Sequence, residues 1–221
     1  MKDEKKPTSR RRVARKRRAE VLDAAARVFH AKGYSATTIQ DIADEVGILK
    51  GSVYYYISSK EDVLFEVLQE VHEAAMAAVL EAIATDGDVL ERIRAFVETL
   101  TRFNADNQVR MGVLLQDFRS LSEPRRQQLV KERDRYDRML RALIEEGQQQ
   151  GLVSADIDPK LAALAVMGMI NTVYQWYRPA GEQRSTDIAS FYAELVIRAL
   201  TAPGAVDGVD MAAGRLLADP S

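Results

Sequence analysis

The amino-acid sequence predicts an all-α protein of about nine helices. Apolar residues recur at three- and four-residue spacing in almost every segment, which places them on one face of a helix. No segment alternates apolar and polar residues as a half-buried strand does, and no period of about 20–50 residues indicates a repeat architecture. Glycine and proline residues stand between the periodic segments, at Gly33, Gly47, Gly87, Gly151 and Pro179, where helices begin or end.

The first helix is predicted between Ala19 and His30, where the apolar residues form one stripe and Gly33 follows as a stop signal. The segment before it, Lys2–Arg18, carries ten basic residues and almost nothing apolar. Such a segment buries too little apolar surface to become ordered, so we expect a flexible basic arm over residues 1–14. The arm either strengthens contact with phosphates or is only a solvated tail.

Two short helices follow, Thr38–Val46 and Leu49–Tyr56, with Gly47 in the tight turn between them. These are the dimensions of a helix-turn-helix motif, whose second helix enters the major groove of DNA. We therefore predict a DNA-binding domain over residues 15–60, with residues 38–57 as the motif that reads DNA.

The second of these helices contains Gly51 near its start. Glycine inside a helix costs about 1 kcal/mol relative to alanine, which is reasonable only where the backbone must come close to another molecule. Lys50 and Ser52 flank it with hydrogen-bonding side chains. The start of this helix is therefore the part expected to face the edges of the bases.

The remaining segments predict a second, larger helical domain over residues 61–202. Ser58 or Ser59 caps a long helix over residues 60–84, where early acidic residues suit the positive end of the helix dipole. Further helices are predicted over residues 88–106, 109–121, 123–150, 158–178 and 186–202. Residues 203–221 have the composition of a flexible tail.

The composition excludes several classes of protein. There are no cysteines and only two histidines, His30 and His72, so a disulfide framework, thiol catalysis and a Cys- or His-rich metal site are not expected. The longest apolar stretch, residues 161–170, is half of what a membrane span needs. The N-terminus lacks the apolar core of a secretory signal. We expect a soluble cytoplasmic protein with no metal and no membrane contact.

The formal net charge of −2 hides an asymmetry. Residues 1–60 carry 14 Lys and Arg against 7 Asp and Glu, whereas residues 61–221 carry 17 against 26. A basic N-terminal region followed by an acidic remainder indicates that only the N-terminal region binds a polyanion.

The chain carries the run TTIQDIADEVGILKGSVYYYISSKEDVLFEVL. With the Ala19–Phe29 helix and its Gly33 stop, this run resembles the DNA-binding region of the tetracycline-repressor (TetR) family over about 55 residues without a gap. The chain has Ile57 where family members typically carry Phe, and Tyr56 where they often carry His. The DNA-binding residues that the resemblance implies are Thr38, Lys50, Gly51, Ser52, Tyr54, Tyr55, Tyr56 and Lys60.

The resemblance divides these residues between phosphate and base contacts. Thr38 and Lys60 are expected to anchor phosphates, as are the hydroxyls of Tyr55 and Tyr56. Lys50, Gly51 and Ser52 are expected at the base edges, where lysine can reach guanine O6 and N7. The alternative for Tyr54 and Tyr55 is packing against the first helix.

One helix-turn-helix seldom gives enough specificity, so a homodimer that reads two half-sites is expected. The helices at about 158–178 and 186–202 are the candidates for its interface, because they carry more apolar residues than one buried side needs. Two such helices from each subunit would form an isologous four-helix interface, which is also the arrangement that the family implies. The alternative is that a single subunit buries both helices in its own core.

The helices of the second domain are expected to enclose a small-molecule effector. Asn171 stands in the apolar run Met167–Val173, where a buried amide needs a partner. Most of the apolar candidates are equally consistent with plain core. The residues predicted to line the effector pocket are Phe103, Met111, Leu114, Leu115, Phe118, Arg119, Arg125, Arg126, Tyr136, Met139, Met167, Asn171, Tyr174, Trp176 and Arg178.

A second resemblance concerns the segments QDFRSLSEPRRQQLVKERDRYDRMLRALIEEGQQQG and NTVYQWYRPAG. They are similar to TetR-type regulators of fatty-acid and steroid-ring breakdown, whose effectors are acyl-CoA thioesters. Such an effector requires an apolar hole for the acyl group beside cations for the phosphates, and guanidinium binds phosphate bidentately. No other cofactor is expected. Trp176 would stack on the ligand or wedge between helices, and Arg125 and Arg126 would otherwise form a solvated basic face.

The sequence therefore predicts a dimeric TetR-type repressor that binds a palindromic operator and is released by an effector, with an acyl-CoA as the expected ligand. The alternatives are a TetR-type regulator of a drug or other apolar ligand, and a nonspecific DNA-binding protein. An enzyme is not expected, because no phosphate loop, nucleophile elbow or metal spacing is present.

Overall fold

The computed structural model describes residues 9–201, with side chains from residue 13 onward. These residues form nine α-helices and one short 3₁₀ helix and contain no strand, which confirms the all-α prediction. The predicted tail, residues 203–221, lies outside the described residues. The helices are α1 (Ser9–Lys32), α2 (Ile39–Val46), α3 (Lys50–Val53), α4 (Lys60–Ile83), α5 (Val89–Asp106), α6 (Gln108–Asp117) with the 3₁₀ helix Phe118–Ser120 after it, α7 (Glu123–Gln149), α8 (Pro159–Trp176) and α9 (Ser185–Thr201).

The first helix begins earlier than the sequence predicted. Helix α1 starts at Ser9, so the expectation of a flexible arm is wrong over residues 9–14, and residues 1–8 lie outside the described part of the chain. Lysine and arginine have high helix propensity, so a basic segment can extend a helix instead of remaining solvated coil. Arg18 in this extension also forms an ion pair of 2.6 Å with Glu66 of α4.

Helices α1, α2 and α3 pack around the first half of α4. Leu22 and Phe29 of α1, Ile42 of α2, Val53 of α3 and Leu64 of α4 are buried in one apolar cluster. The same cluster includes buried residues of α6, α7 and α8, so the N-terminal helices share their core with part of the C-terminal bundle.

The turn of the helix-turn-helix is built on Gly47. Its φ is 74°, in the left-handed region that glycine adopts at no steric cost, and its backbone N–H closes α2. Helix α3 ends at Val53 and residues 54–56 form a turn, so the second helix is shorter than the predicted Leu49–Tyr56. Three consecutive tyrosines lose side-chain freedom in a helix, which favours this early end.

Helix α5 is the centre of the C-terminal bundle. It packs against α4, α7, α8 and α9, and its residues Ile93, Phe96 and Val97 are fully buried. The cluster around them continues into the second half of α4 and into the facing sides of α7, α8 and α9. The bundle therefore has a second apolar core.

Helix α6 joins the two cores, since it packs against α1 on one side and against α4 and α8 on the other. Gly112 makes the approach to α1 possible, because a Cβ at that position would lie 2.7 Å from Nδ1 of His30. Gln108 at the start of α6 donates to the carbonyls of Tyr174 and Tyr177 at the end of α8, at 3.1 and 2.6 Å.

The first prediction concerns Thr101 on α5, which is fully buried and whose hydroxyl has no hydrogen-bond partner among the described residues. An unpartnered buried hydroxyl costs free energy and valine has nearly the same shape, so Thr101→Val should raise the free energy of unfolding by about 1 kcal/mol. Denaturant unfolding measures this change. The matched control is Thr172→Val, whose exposed hydroxyl donates to the Met169 carbonyl at 2.9 Å and which should gain nothing. A less stable Thr101→Val protein would contradict the prediction.

Candidate functional site

The start of α3 and the turn after it form an exposed surface. Lys50 and Gly51 are exposed, and Tyr55 is 87% exposed, so Tyr55 does not pack against α1. Tyr54 is half-exposed, whereas Tyr56 is partly buried against the N-terminal core. The structure therefore brings the predicted base-reading and tyrosine side chains to one exposed end of the helix-turn-helix.

Two features of this surface have no explanation inside the fold. A Cβ at Gly51 would meet no atom within 4 Å, so packing within the chain does not require glycine there. Leu49, at the start of α3, is 80% exposed although it is apolar. Leu49 was not among the predicted site residues, because periodicity alone does not separate an exposed leucine from a buried one.

The hydroxyl of Thr38 serves the fold of α2. It accepts a hydrogen bond from the Asp41 backbone N–H at 3.2 Å, while the Asp41 carboxylate accepts from the Thr38 backbone N–H at 2.8 Å, so the predicted capping box is present. The carboxylate also bonds Lys32, and these hydrogen bonds hold the pKa of Asp41 well below its usual range. A phosphate contact of Thr38 would have to compete with this carboxylate.

Lys60 has a role within the fold, and its contact with phosphate stays a prediction. Its ammonium donates to the carbonyls of Tyr34 and Thr37, both at 2.8 Å, and lies 4.3 Å from the centre of the Tyr34 ring. These carbonyls belong to the loop between α1 and α2. Lys60 therefore fixes α4 against that loop, because its ammonium donates to two of the loop's carbonyls, of which that of Tyr34 also accepts from the Thr37 backbone N–H.

A cavity of about 280 Å³ lies in the C-terminal bundle between α4, α5, α6, α7 and α8. Eight of the predicted pocket residues line it. They are Met111, Leu114, Leu115, Phe118, Arg119, Tyr136, Met167 and Asn171.

Eight further residues line the cavity and were not predicted from the sequence. Helix α4 contributes three of them, and none of the predicted lining residues lies on this helix. The signals that were available are a histidine and an asparagine in otherwise apolar helix faces. The missed residues are Val71, His72, Ala75, Leu100, Asn104, Leu129, Val130 and Arg133.

Arg125 and Arg126 do not line the cavity, contrary to the prediction. Arg125 pairs with Asp62 of α4 and lies over the ring of Phe65, at 5.2 Å from its centre. Arg126 pairs with Glu123 one turn earlier in α7. Both guanidinium groups neutralise carboxylates of the chain, which periodicity cannot reveal.

Trp176 and Arg178 also lie away from the cavity. Trp176 is exposed, and its ring is 6.4 Å from that of Tyr192 on α9, which matches the alternative of a residue between helices. Arg178 donates to the carbonyls of Gln175 and Tyr177 and so closes the end of α8. Both belong to the α8–α9 connection.

Phe103, Met139 and Tyr174 are core residues and not lining residues. Phe103 packs against both apolar clusters, Met139 against that of the bundle, and Tyr174 is buried in the N-terminal cluster. Their side chains therefore fill the fold, which was the alternative for the apolar candidates.

Polar groups lie within the mostly apolar wall of the cavity. His72 is 8% exposed and Asn104 is 1% exposed. Burial lowers the pKa of His72, Glu132 opposes this effect and Arg133 adds to it, so the imidazole is neutral near pH 7. Burial also raises the pKa of Tyr136, whose hydroxyl donates to the His72 carbonyl at 2.9 Å.

The opening of the cavity is basic. Arg119 and Arg133 line it and are exposed, as is Leu115. Within residues 13–201 Arg119 forms no ion pair, and the contact of Arg133 is a long one of 3.7 Å to its neighbour Asp134. Two cations therefore remain available at the mouth of an apolar hole.

Some sites are absent from the described part of the chain. No cluster of three or more histidine or carboxylate side chains there is placed to bind a metal ion. None of its helices combines the length and the apolar content that crossing a membrane requires.

Two parts of the chain match known families. Residues 21–67 match "Bacterial regulatory proteins, tetR family", and residues 86–200 match "Tetracyclin repressor-like, C-terminal domain". The exposed helix-turn-helix and the separate bundle with a cavity define a DNA-binding transcriptional regulator that responds to small molecules. The chain belongs to the TetR family, which confirms the TetR-type assignment and the prediction that it is not an enzyme.

Individual relatives share most of the chain's length. The transcriptional repressor KstR2 of Rhodococcus jostii (strain RHA1) is 30% identical over 188 residues, which are 85% of this chain and 92% of that protein. The structure of the ketosteroid transcriptional regulator KstR2 of Mycobacterium tuberculosis has a TM-score of 0.78 at 25% identity and covers 89% of this chain and 97% of its own. AibR in complex with isovaleryl coenzyme A and operator DNA has a TM-score of 0.73 at 24% identity, with coverage of 84% and 98%, which shows a common fold.

The second prediction tests the role of Lys60. Removing an ammonium that bonds two partly buried carbonyls should lower the free energy of unfolding, so Lys60→Met should lose about 2 kcal/mol. The control is Lys32→Met, which breaks an exposed ion pair with Asp41 and should cost less than about 1 kcal/mol. Denaturant unfolding of both variants gives the comparison. Unchanged stability of Lys60→Met, with a loss of DNA affinity alone, would restore the phosphate-anchor interpretation.

Proposed function

We propose that this protein is a dimeric transcriptional repressor that binds a palindromic operator and is released from it by an acyl-CoA effector. The observation that carries the proposal is the pairing of an exposed reading helix with a cavity that is apolar inside and basic at its mouth. The 30% identity to the transcriptional repressor KstR2 supports repression, and not activation, as the effect of DNA binding. A DNA-binding regulator shares a compartment with the chromosome, so we place it in the cytoplasm.

The exposed end of the helix-turn-helix supports the proposed DNA contacts. Lys50 and Ser52 present side chains at the start of α3, and Gly51 leaves space for a close approach of the backbone. Tyr55 is free to donate its hydroxyl to a phosphate. We assign base reading to the start of α3 and positioning on the phosphates to the tyrosines that follow it.

Exposed apolar residues on the last two helices support the proposed dimer. Leu161, Leu164 and Trp176 of α8 and Phe191 and Leu195 of α9 are all exposed. A group of large apolar side chains of this kind is typical of an interface. A twofold interface between two copies of α8 and α9 would cover it and would present two reading helices to a palindrome.

The chemistry of the cavity supports an acyl-CoA effector. Its wall offers Leu100, Leu129 and Met167 to an acyl group, while Arg119 and Arg133 stand at the mouth where the phosphates of the CoA would lie. The ketosteroid regulator KstR2 and the isovaleryl-CoA complex of AibR belong to the same fold. An uncharged drug would leave the two arginines without a partner, so we favour an anionic ligand.

Helix α6 supports a route from the effector to the DNA-binding helices. Met111 and Leu114 face the cavity, whereas Arg110 pairs with Asp23 of α1 and Glu70 of α4. An effector that moves α6 therefore changes the contacts that hold α1 in place, including the ion pair between Arg110 and Asp23. If the effector prefers a spacing of reading helices that does not fit successive major grooves, effector and operator oppose each other.

The third prediction separates phosphate contacts from base contacts. Tyr55→Phe should weaken binding to the operator and to scrambled DNA by the same factor of about five, because it removes one phosphate hydrogen bond. Lys50→Ala should weaken operator binding by about tenfold more than binding to scrambled DNA. Fluorescence anisotropy at one fixed salt concentration measures both, on an operator selected from a random library.

The matched control is Lys160→Ala, which removes the same charge from the C-terminal bundle and should leave both affinities unchanged. Equal losses on the two DNA sequences for Lys50→Ala would contradict its base-reading role. Failure of the wild-type protein to prefer any sequence would favour the nonspecific DNA-binding alternative.

The fourth prediction tests the effector. Hexanoyl-CoA, isovaleryl-CoA and cyclohexanecarbonyl-CoA are the probes, and at least one should raise the melting temperature and weaken operator binding. Arg119→Met and Arg133→Met should each lower the affinity for that ligand by about tenfold, because a guanidinium–phosphate contact is lost. Calorimetric titration measures the affinities.

Arg126→Met is the control, since its guanidinium is paired with Glu123 outside the cavity. It should leave the affinity for the CoA ester unchanged. No thermal shift with any of the esters, or an equal loss in Arg126→Met, would overturn the acyl-CoA assignment and leave the DNA-binding function untouched.

A further inference from the structure

Besides Tyr136, whose hydroxyl is bonded within the fold, and Asn171, the wall of the cavity contains two polar side chains that are almost fully buried, although an acyl-binding hole needs none. Asn104 of α5 is 1% exposed and His72 of α4 is 8% exposed. Their neighbours in the wall are apolar, including Val71, Ala75 and Leu100. A cavity built only for hydrocarbon would have apolar residues at both positions, because burying polar groups costs free energy unless they are hydrogen-bonded.

Most of the hydrogen-bond donors and acceptors of the Asn104 and His72 side chains have no partner among the described residues. Asn104 donates through Nδ2 to the Ile170 carbonyl at a long 3.3 Å, and no group of the described residues donates to its Oδ1. No hydrogen bond of the described residues uses a ring nitrogen of His72, although its backbone carbonyl accepts from Tyr136. Two donors and two acceptors therefore line the hole without a partner from the described residues: one N–H and the Oδ1 of Asn104, and the two ring nitrogens of the neutral His72.

Asn104 and His72 differ from the two cations of the site in burial, although Arg133 lies near enough to His72 to lower the pKa of its imidazole. Arg119 and Arg133 are exposed at the mouth, whereas Asn104 and His72 are buried in the wall. No lysine or arginine other than these two lines the cavity. A carboxylate at the depth of Asn104 would thus be buried without a cation, while a neutral oxygen would meet both a donor and an acceptor.

We propose that the acyl part of the effector carries an uncharged oxygen, a ketone or a hydroxyl, which Asn104 and His72 bind inside the cavity. This inference rests on the proposed effector-binding function and names its ligand class: an oxygenated acyl group in place of a saturated one. A site that hydrogen-bonds an oxygen discriminates strongly against the analogue without it, because its own buried groups are then left unpaired.

The experiment compares ligands that differ by one oxygen. Calorimetric titration of the full chain uses hexanoyl-CoA against 3-hydroxyhexanoyl-, 3-oxohexanoyl- and 5-oxohexanoyl-CoA, and cyclohexanecarbonyl-CoA against its 4-oxo derivative. At least one oxygenated ester should bind about tenfold or more tightly than its saturated partner. Equal or weaker binding of every oxygenated ester would overturn the proposal.

Two variants assign the preference to the named residues. Asn104→Leu and His72→Met should each remove the preference for oxygen while retaining affinity for the saturated ester. The control Met139→Leu, which lies in the core of the bundle and outside the cavity wall, should leave the preference unchanged. Melting temperatures of the variants without ligand separate this role from a structural one, since a structural Asn104 would lower the melting temperature when replaced. A preference that survives both substitutions would overturn the assignment.

A last experiment separates this inference from the acyl-CoA proposal. Cyclohexanone, cyclohexanol and methylcyclohexane are tested at millimolar concentration by thermal shift. If the CoA esters fail but the ketone or alcohol stabilises the wild-type protein and not Asn104→Leu, the acyl-CoA assignment falls and the oxygen site stands. If neither the esters nor the small oxygenated compounds bind, both proposals fall.

Discussion

Helix α6 has to satisfy two packing surfaces at once, and this constraint connects the parts of the molecule. Met111 and Leu114 on one side close the cavity, while Gly112 on the other side lets the helix come close to α1. The partly buried guanidinium of Arg110 pairs with Asp23 and Glu70, so helices α1, α4 and α6 meet at one charge. Because packed interiors transmit strain, these contacts of α6 support the proposed route from the cavity to the DNA-binding helices.

Ion pairing decides which basic residues are available to a ligand. Arg125 and Arg126 form ion pairs with carboxylates of the chain, and Lys60 donates hydrogen bonds to carbonyls of the α1–α2 loop. Arg119 and Arg133 at the cavity mouth keep their charge exposed to solvent. A phosphate gains most from the cations that do not already have a partner, so position among neighbours matters more than the number of arginines in a segment.

Much of the fold could be predicted from periodicity. Helices α4, α5, α7, α8 and α9 lie within a few residues of the predicted segments, because amphipathic spacing and glycine or proline at the ends are local properties. The start of α1 at Ser9 and the end of α3 at Val53 were not predicted. Helix ends depend on weak propensities and on capping, which compete with tertiary contacts.

The sequence by itself determined the all-α fold, the helix-turn-helix with its turn at Gly47, and eight of the lining residues of the cavity. Only the tertiary structure decided which arginines face the cavity and that α4 and α5 bring His72 and Asn104 into its wall. The reason is physical: a helix face is fixed by local spacing, whereas the partner of a charge or a buried amide is fixed by residues far away in the chain. Asp62 and Arg125, which pair across α4 and α7, are one example.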